Sequence, residues 1–133
     1  MKHPAYVNPE GAPAPIGMYS NLSRAGDLLF VAGQVGLGID GKPAGEDLAS
    51  QASQAFQNIA TLLDSQGGSL RNVTKFTTYL VSAEEIGLFF EIRERLFADL
   101  FPEGDYPPNT LLVVDRLVRP ELRIEVEAVA SLG

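Results

Sequence analysis

The segment Leu28–Val35 (LLFVAGQV) constrains the fold more than any other stretch of the chain. Its first five residues are all apolar, which is the pattern of a strand covered on both faces. Alternation along a strand places the side chains of Leu28, Phe30 and Ala32 opposite those of Leu29, Val31 and Gly33. If amphipathic helices cover the first of these faces, the second needs another cover. A neighbouring subunit is the simplest cover for a chain of 133 residues.

Gly33 lies where this strand is predicted to end. Because glycine has no Cβ atom, a ligand or another backbone segment can approach it closely. A glycine that serves only a β-bulge is an equally good interpretation. The sequence leaves both interpretations open.

The composition argues against several classes of site. The absence of cysteine excludes disulfide bonds, thiolate catalysis and Cys-ligated zinc. His3 is the only histidine and lies in a polar, proline-rich segment, which argues against a histidine base or a multi-histidine metal site. The net charge is −7, from 10 basic and 17 acidic residues, so nucleic-acid binding is disfavoured.

Length and hydropathy predict one globular domain over residues 1–133. Hydrophobic residues make up 45% of the chain and charged residues 20%, which is ordinary for a soluble domain. No apolar run is long enough to cross a membrane, and the first residues lack the hydrophobic region of a signal peptide. We therefore expect a cytoplasmic protein.

The hydrophobic periodicity predicts the element order β-β-α-β-α-β-β. Residues 1–17 contain four prolines and are predicted to be an extended leader rather than an element. One helix is predicted to run from an Asp47 N-cap to Gln66, and a second from a Ser82/Glu85 capping box to Phe101. The five predicted strands cover residues 18–23, 28–35, 72–81, 110–118 and 122–130.

Two helices and one sheet predict a two-layer α+β arrangement with both helices on one face of the sheet. The second helix carries three phenylalanines, which are interpreted as core residues rather than as a ligand-binding set. They are Phe89, Phe90 and Phe97.

Glu125 and Glu127 lie two residues apart in the last predicted strand and therefore share a face. Such a pair can act as a general base and its partner or as hard metal ligands, although it more often forms a solvated strand face. The apolar segment Leu28–Val35 argues that this face is covered. A carboxylate on a covered face has a raised pKa and is a better acid/base group.

Other catalytic patterns have little support. No serine lies in a Gly-x-Ser-x-Gly turn. Gly36, Gly38 and Gly41 are spaced too irregularly for a phosphate-binding loop. Tyr19 follows a turn-rich segment, and its ring can either line a pocket or wedge the leader against the core.

Four segments, taken in order, resemble the Rid (YjgF-type) family, which includes the reactive intermediate deaminases and is also called the endoribonuclease L-PSP family. The segments are APAPIGMYS, LLFVAGQV, QASQAFQNIATLLDSQGGSLRNVTKFTTYLV and LRIEVEAVA. The resemblance extends from Ala12 to Ala130, which is almost the entire chain.

This resemblance implies a chorismate-mutase-like α+β fold. It also implies a homotrimer in which the sheets form a central barrel, the helices lie outside and ligand clefts lie between adjacent subunits. RidA-type members hydrolyse 2-imino acids, which pyridoxal-phosphate enzymes form, to 2-keto acids and ammonia without a cofactor. The partners it implies are other copies of the chain and a small-molecule ligand, with no nucleic acid and no membrane.

The residues of the family's cleft match positions of this chain. The tyrosine of the Pro-Ile-Gly-Pro-Tyr motif matches Tyr19, with Met18 in place of the second proline. The glycine of the Ser-Gly-Gln motif matches Gly33. The first glutamate of the Ile-Glu-Ile-Glu-Ala motif, to which the family assigns positioning of the attacking water, matches Glu125.

Two positions depart from the family pattern. Asn109 replaces the arginine of the Pro-x-Arg-Ser motif, which clamps the substrate carboxylate, and Glu94 lies near the position of an asparagine in the second helix. An Arg–carboxylate fork is bidentate and charge-assisted. Its loss costs about 1.5–3 kcal/mol, which is about one to two decades in binding or turnover. The basic residues that can compensate are Arg71, Lys75, Arg93, Arg95, Arg116 and Arg123.

The leading hypothesis is a Rid-family homotrimer that hydrolyses an imine or enamine without the usual carboxylate clamp. In it Glu125 positions water, Gly33 and Tyr19 frame the substrate, and Asn109 donates a hydrogen bond. A non-catalytic ligand-binding or regulatory trimer is the alternative. Endoribonuclease activity is disfavoured by the negative charge and the single histidine.

Overall fold

The structure, a computed structural model, describes residues 3–133 and consists of one sheet and two helices. The strands and helices follow in chain order: β1 (Ala5–Val7), β2 (Leu22–Ala25), β3 (Leu28–Val35), α1 (Leu48–Asp64), β4 (Val73–Leu80), α2 (Ile86–Leu100), β5 (Asn109–Val113) and β6 (Ile124–Ser131). The spatial order of the six strands is β1-β2-β3-β6-β4-β5. Strand β5 is parallel to β4, and every other pair is antiparallel.

Both helices cover the same face of the sheet, as predicted. Alternate residues of β6 are buried on that face, beginning with Ile124 and Val126, while Glu125 and Glu127 between them are partly exposed on the other. Helix α1 packs on β3 and β6, and α2 packs beside α1. The opposite face, here called the open face, is covered at one end, where Leu37, Leu117 and Leu122 pack against Val35, Tyr79 and Val81. Elsewhere on this face, Leu28 and Phe30 are more than 40% exposed.

Helix α1 begins and ends for the reasons that its sequence indicates. The Asp47 side chain accepts a hydrogen bond from the Ser50 amide at 2.9 Å, which lowers the pKa of that carboxyl. Gly67, at φ 79°, supplies the left-handed conformation that follows the helix. The predicted N-cap is therefore confirmed.

A buried glutamine joins α1 to the segment that leads into β6. The Gln51 side-chain amide donates to the carbonyls of Gly45 and Glu121, each at 3.0 Å. Its oxygen accepts from the Arg123 amide at 2.7 Å. These bonds fix where β6 enters the sheet.

The proline-rich leader and the second helix differ from the predictions. The leader contributes β1, which pairs with β2, and β2 begins at Leu22 rather than at Met18. The Ser82 side chain makes no capping bond, and a short 3-10 turn precedes α2. The predicted capping box is wrong because the Glu85 carboxylate instead forms a salt bridge with Arg123.

The helices cover the face of β3 opposite to the one considered in the sequence analysis. Leu29 and Val31 are buried beneath the helices, whereas Phe30 lies on the open face with 44% of its surface exposed. The β3–β6 register shifts between Val31 and Gln34. This bulge moves Gly33 onto the open face, although simple alternation placed it with Leu29 and Val31.

The phenylalanines of α2 separate into two kinds. Phe89 and Phe97 are buried in the core, as predicted. Phe90 is 48% exposed, so its assignment to the core was wrong. Its ring lies on the outer side of the helix, where the Arg93 guanidinium sits 4.9 Å from the ring centroid.

The last two strands are shorter than predicted. Strand β5 ends at Val113, and residues 114–123 form a connection that carries the chain past β4. Strand β6 therefore lies between β3 and β4. None of the helices within residues 3–133 has the length and apolar character that crossing a membrane requires.

We expect Gly36→Ala to destabilise the fold. Gly36 is buried, and a Cβ atom there would lie 2.5 Å from the Cα atom of Gln51, so the backbone of α1 would have to move. Urea unfolding should show a free energy of unfolding lowered by about 1–3 kcal/mol.

Gly87→Ala is the matched control, because a Cβ atom on this α2 residue meets no atom within 4 Å. Alanine favours the helical backbone, so this variant should be up to about 0.5–1 kcal/mol more stable. A Gly36→Ala variant as stable as the wild type would show that α1 does not pack against Gly36 as described.

Candidate functional site

Gly33 and Glu125 meet on the open face of the sheet. The β3 bulge brings the backbone of Gly33 against the Glu125 side chain, and a Cβ atom at position 33 would lie 2.6 Å from Glu125 Cδ. No side chain fits at that distance without displacing the carboxylate. Both interpretations of Gly33 therefore hold, since it lies in a bulge and also permits a close approach.

The environment of Glu125 disfavours its ionised form. Strand β6 places the half-buried carboxyl between Val35 of β3 and Tyr79 of β4. Burial, and to a smaller extent the negative charge of Glu127, raise the pKa of Glu125 above its ordinary value. A carboxyl with a raised pKa binds a proton more strongly and is a stronger general base when ionised.

Tyr79 fixes the second carboxylate of the pair. Its hydroxyl donates a hydrogen bond to Glu127, and this bond, with burial, raises the pKa of Tyr79 to about 12. Tyr79 therefore keeps its proton at neutral pH. The sequence analysis missed this residue because it did not predict that β4 pairs with β6.

Tyr19 lies beside Gly33. The two residues line one small cavity together with Ile16 and Asn21. The Tyr19 hydroxyl accepts a hydrogen bond from the Ile16 amide at 3.3 Å, which holds the ring against its own loop. Tyr19 also lines a wider groove of about 500 Å³ with Phe30 and Glu127.

Asn109 and Glu94 lie elsewhere, in a groove of about 330 Å³ between α2 and the start of β5. The Thr78 hydroxyl donates to Asn109 Oδ1 at 2.8 Å. Since Thr78 is buried on the helix side of the sheet, the Asn109 side chain lies on that side too. The remaining lining residues are Phe90, Arg93, Phe97, Tyr106 and Pro107.

The five candidate residues thus form two groups on opposite sides of the sheet. Tyr19, Gly33 and Glu125 belong to the open face, whereas Glu94 and Asn109 belong to the helix side. One copy of the chain does not bring the two groups together.

The basic residues considered as replacements for the missing arginine do not lie together. Arg71 pairs with Glu103 and Arg123 with Glu85, while Arg116 donates to the backbone carbonyls of Leu117 and Val118. Of the six basic residues considered above, only Arg93 lines the groove with Asn109. Partial burial lowers the pKa of its guanidinium.

No metal-binding cluster appears among the residues that the structure describes. Within residues 3–133, no group of three or more His, Asp or Glu side chains is arranged to hold a metal ion. On the open face, Lys75, Thr77 and Tyr79 of β4 lie on the same side of the sheet as Glu125 and Glu127.

Several known proteins are similar to this chain. The model of the endoribonuclease L-PSP family matches residues 9–132. A RutC family protein from Pyrococcus horikoshii is 38% identical over 125 residues, which cover 91% of this chain and 92% of the relative. The mouse 2-iminobutanoate/2-iminopropanoate deaminase is 32% identical over 123 residues, which cover 92% of this chain and 87% of the relative.

Solved structures show the same fold. RidA from an Antarctic Psychrobacter species has a TM-score of 0.85 at 26% identity, with 96% of this chain and 99% of that chain covered. Escherichia coli TdcF with bound serine has a TM-score of 0.87 at 22% identity, with 97% and 99% covered. The chain therefore has the YjgF/RidA α+β fold and belongs to the endoribonuclease L-PSP family, the Rid family that its four sequence segments resemble.

Proposed function

We propose that this chain forms a homotrimer whose intersubunit clefts hydrolyse small imines to carbonyl compounds and ammonia. The contact between Gly33 and Glu125 carries the proposal, because it holds a carboxylate of raised pKa against an open stretch of backbone. The mouse relative is named as a 2-imino acid deaminase, which supports the same reaction class.

In the proposed mechanism, ionised Glu125 takes a proton from a water molecule as the water oxygen attacks the carbon of the C=N bond. Glu125 delivers this proton to the imine nitrogen as the π bond breaks, which gives a tetrahedral carbinolamine. Glu125 then takes the proton of the carbinolamine hydroxyl and passes it to the nitrogen. The C–N bond breaks as the C=O bond forms, and ammonia leaves. The overall reaction consumes one water for each imine.

The cleft is proposed to combine the two groups of residues from adjacent copies. One copy contributes Tyr19, Gly33 and Glu125, and its neighbour contributes Asn109 and Glu94. The separation of these groups in one chain supports this arrangement. The open face also exposes 42% of Leu28 and 43% of Leu112, and a neighbouring copy would bury this apolar surface.

The proposal is tested with 2-iminopropionate, generated in the assay by an amino-acid oxidase. The protein should remove the imine faster than buffer does, and light scattering should give three times the 14.3 kDa chain mass. Absence of turnover, both with 2-iminopropionate and with an uncharged imine, would contradict the catalytic part. A monomeric mass would contradict the shared cleft.

A non-catalytic ligand-binding trimer is the second candidate. The observation that favours it is Asn109, which stands where RidA-type members have their carboxylate-binding arginine. A ligand-induced rise in Tm without imine turnover would support this candidate over the hydrolase.

The pH dependence of hydrolysis should depend on Glu127. A general base is active when ionised, so turnover should fall as the pH falls through the pKa of Glu125. Glu127→Gln removes the neighbouring charge that helps to raise this pKa, so the acidic limb should move to lower pH. The shift should be partial, because burial is the larger cause. An acidic limb that moves to higher pH would contradict this assignment of the base.

A further inference from the structure

The groove between α2 and β5 contains a guanidinium without an acidic partner. Arg93 forms no salt bridge with any carboxylate within residues 3–133. Its guanidinium carbon lies 5.2 Å from the centroid of Phe89 and 4.9 Å from that of Phe90. These cation–π contacts hold the side chain over two rings while the guanidinium N–H groups stay available.

Asn109 supplies a second donor to the same groove. Its Oδ1 accepts the bond from Thr78, which leaves the Nδ2 group to donate elsewhere. Arg93 on α2 and Asn109 on β5 therefore line one concavity from two different elements. A carboxylate has two oxygens that accept several such hydrogen bonds.

Glu94 lines the same groove and reduces its net positive charge. Because the groove is lined by one guanidinium and one carboxylate, it has no large positive field. A small monoanion is therefore a better match than a dianion or a phosphate.

We infer that Arg93, assisted by Asn109 Nδ2, binds the carboxylate of a 2-imino acid, in place of the arginine that RidA-type members have at position 109. This inference rests on the proposed function, since it names the residue that gives the same cleft its specificity for a carboxylate. The substrate carboxylate then contacts one subunit, and its C=N carbon faces Glu125 of the next.

The test compares Arg93→Gln with Arg95→Gln in the full-length protein. Arg95 is an exposed residue of the same helix that does not line the groove, so both variants lose one positive charge. Arg93→Gln should raise the KM for 2-iminopropionate about 10-fold or more and change kcat much less. Arg95→Gln should leave KM within about two-fold of the wild type.

A binding measurement separates this inference from the proposed hydrolysis. Calorimetry is carried out with pyruvate and with pyruvamide, in which a neutral amide replaces the carboxylate. Pyruvate should bind more tightly than pyruvamide to the wild type, and Arg93→Gln should remove that preference. Arg93→Lys, which keeps the charge but loses the fork geometry, should give an intermediate affinity if the glutamine variant does not fold.

The outcomes distinguish the carboxylate site at Arg93 from the proposed imine hydrolysis. Arg93-dependent pyruvate binding without any imine turnover would support the carboxylate site and contradict the hydrolase. Imine turnover with the same KM in Arg93→Gln and Arg95→Gln would overturn the role of Arg93 and leave the hydrolase standing. A wild type that binds pyruvate no better than pyruvamide would also overturn it.

Discussion

Replacing Glu125 with glutamine is expected to lower kcat/KM for 2-iminopropionate by about 10²–10⁴-fold, the usual range for the loss of a general base. Glutamine has nearly the same shape and should still fit against Gly33, so the variant removes the base and little else. The measurement is the initial rate of imine loss at neutral pH. Glu103→Gln, which changes an exposed partner of Arg71, is the matched control and should retain full activity.

The stability of the same variant distinguishes a catalytic effect from misfolding. Because folding raises the pKa of Glu125, its ionisation opposes folding as the pH rises from the unfolded-state pKa through the folded-state pKa. At neutral pH the glutamine variant should therefore have a higher Tm than the wild type. The difference should disappear under more acidic conditions, where Glu125 is protonated in both states. An active Glu125→Gln variant would remove this residue from the mechanism.

Introducing the arginine that RidA-type members carry should have the second largest effect. Asn109→Arg places a guanidinium at the mouth of the α2–β5 groove, where a fork can bind both carboxylate oxygens. In the Arg93→Gln background we expect kcat/KM for 2-iminopropionate to rise by about 10- to 100-fold. In the wild type the gain should be smaller, because two cations then compete for one carboxylate and their effects are not additive.

The control for this substitution is Asn109→Gln, which keeps a neutral amide on a longer side chain. It should give no gain in either background. If Asn109→Arg leaves imino-acid turnover unchanged in both backgrounds, position 109 does not contact the substrate and the assignment of that half of the cleft is wrong.

Local patterns predicted the elements whose boundaries are set by nearby residues. Strand β3 has the predicted bounds because an uninterrupted apolar run ends in Gly33-Gln34. Helix α1 begins at its predicted N-cap because Asp47 meets an amide only three residues away. Neither boundary depends on the rest of the chain.

Elements that depend on distant contacts were predicted less well. The Ser82/Glu85 capping box failed because Arg123, far along the chain, takes the Glu85 carboxylate. The grouping of Gly33 on one face with Leu29 and Val31 was wrong because the bulge arises from pairing with β6. In the candidate site, Gly33 and Glu125 were identified by their resemblance to the family motifs. The separation of Asn109 from Glu125 could be deduced only from the order of the strands in the sheet. No single-strand pattern contains that order.

The position of β6 has a consequence for how the chain folds during synthesis. This strand is the last of the six along the chain, yet it pairs with both β3 and β4. Until Ser131 has left the ribosome, two inner strands have unpaired edges, and such edges invite pairing with other chains. Without β6, the remaining pairings are β1-β2-β3 and β4-β5, with no strand to join them. The sheet is therefore completed only when β6 is available, and a truncation that removes β6 converts two interior strands into exposed edges.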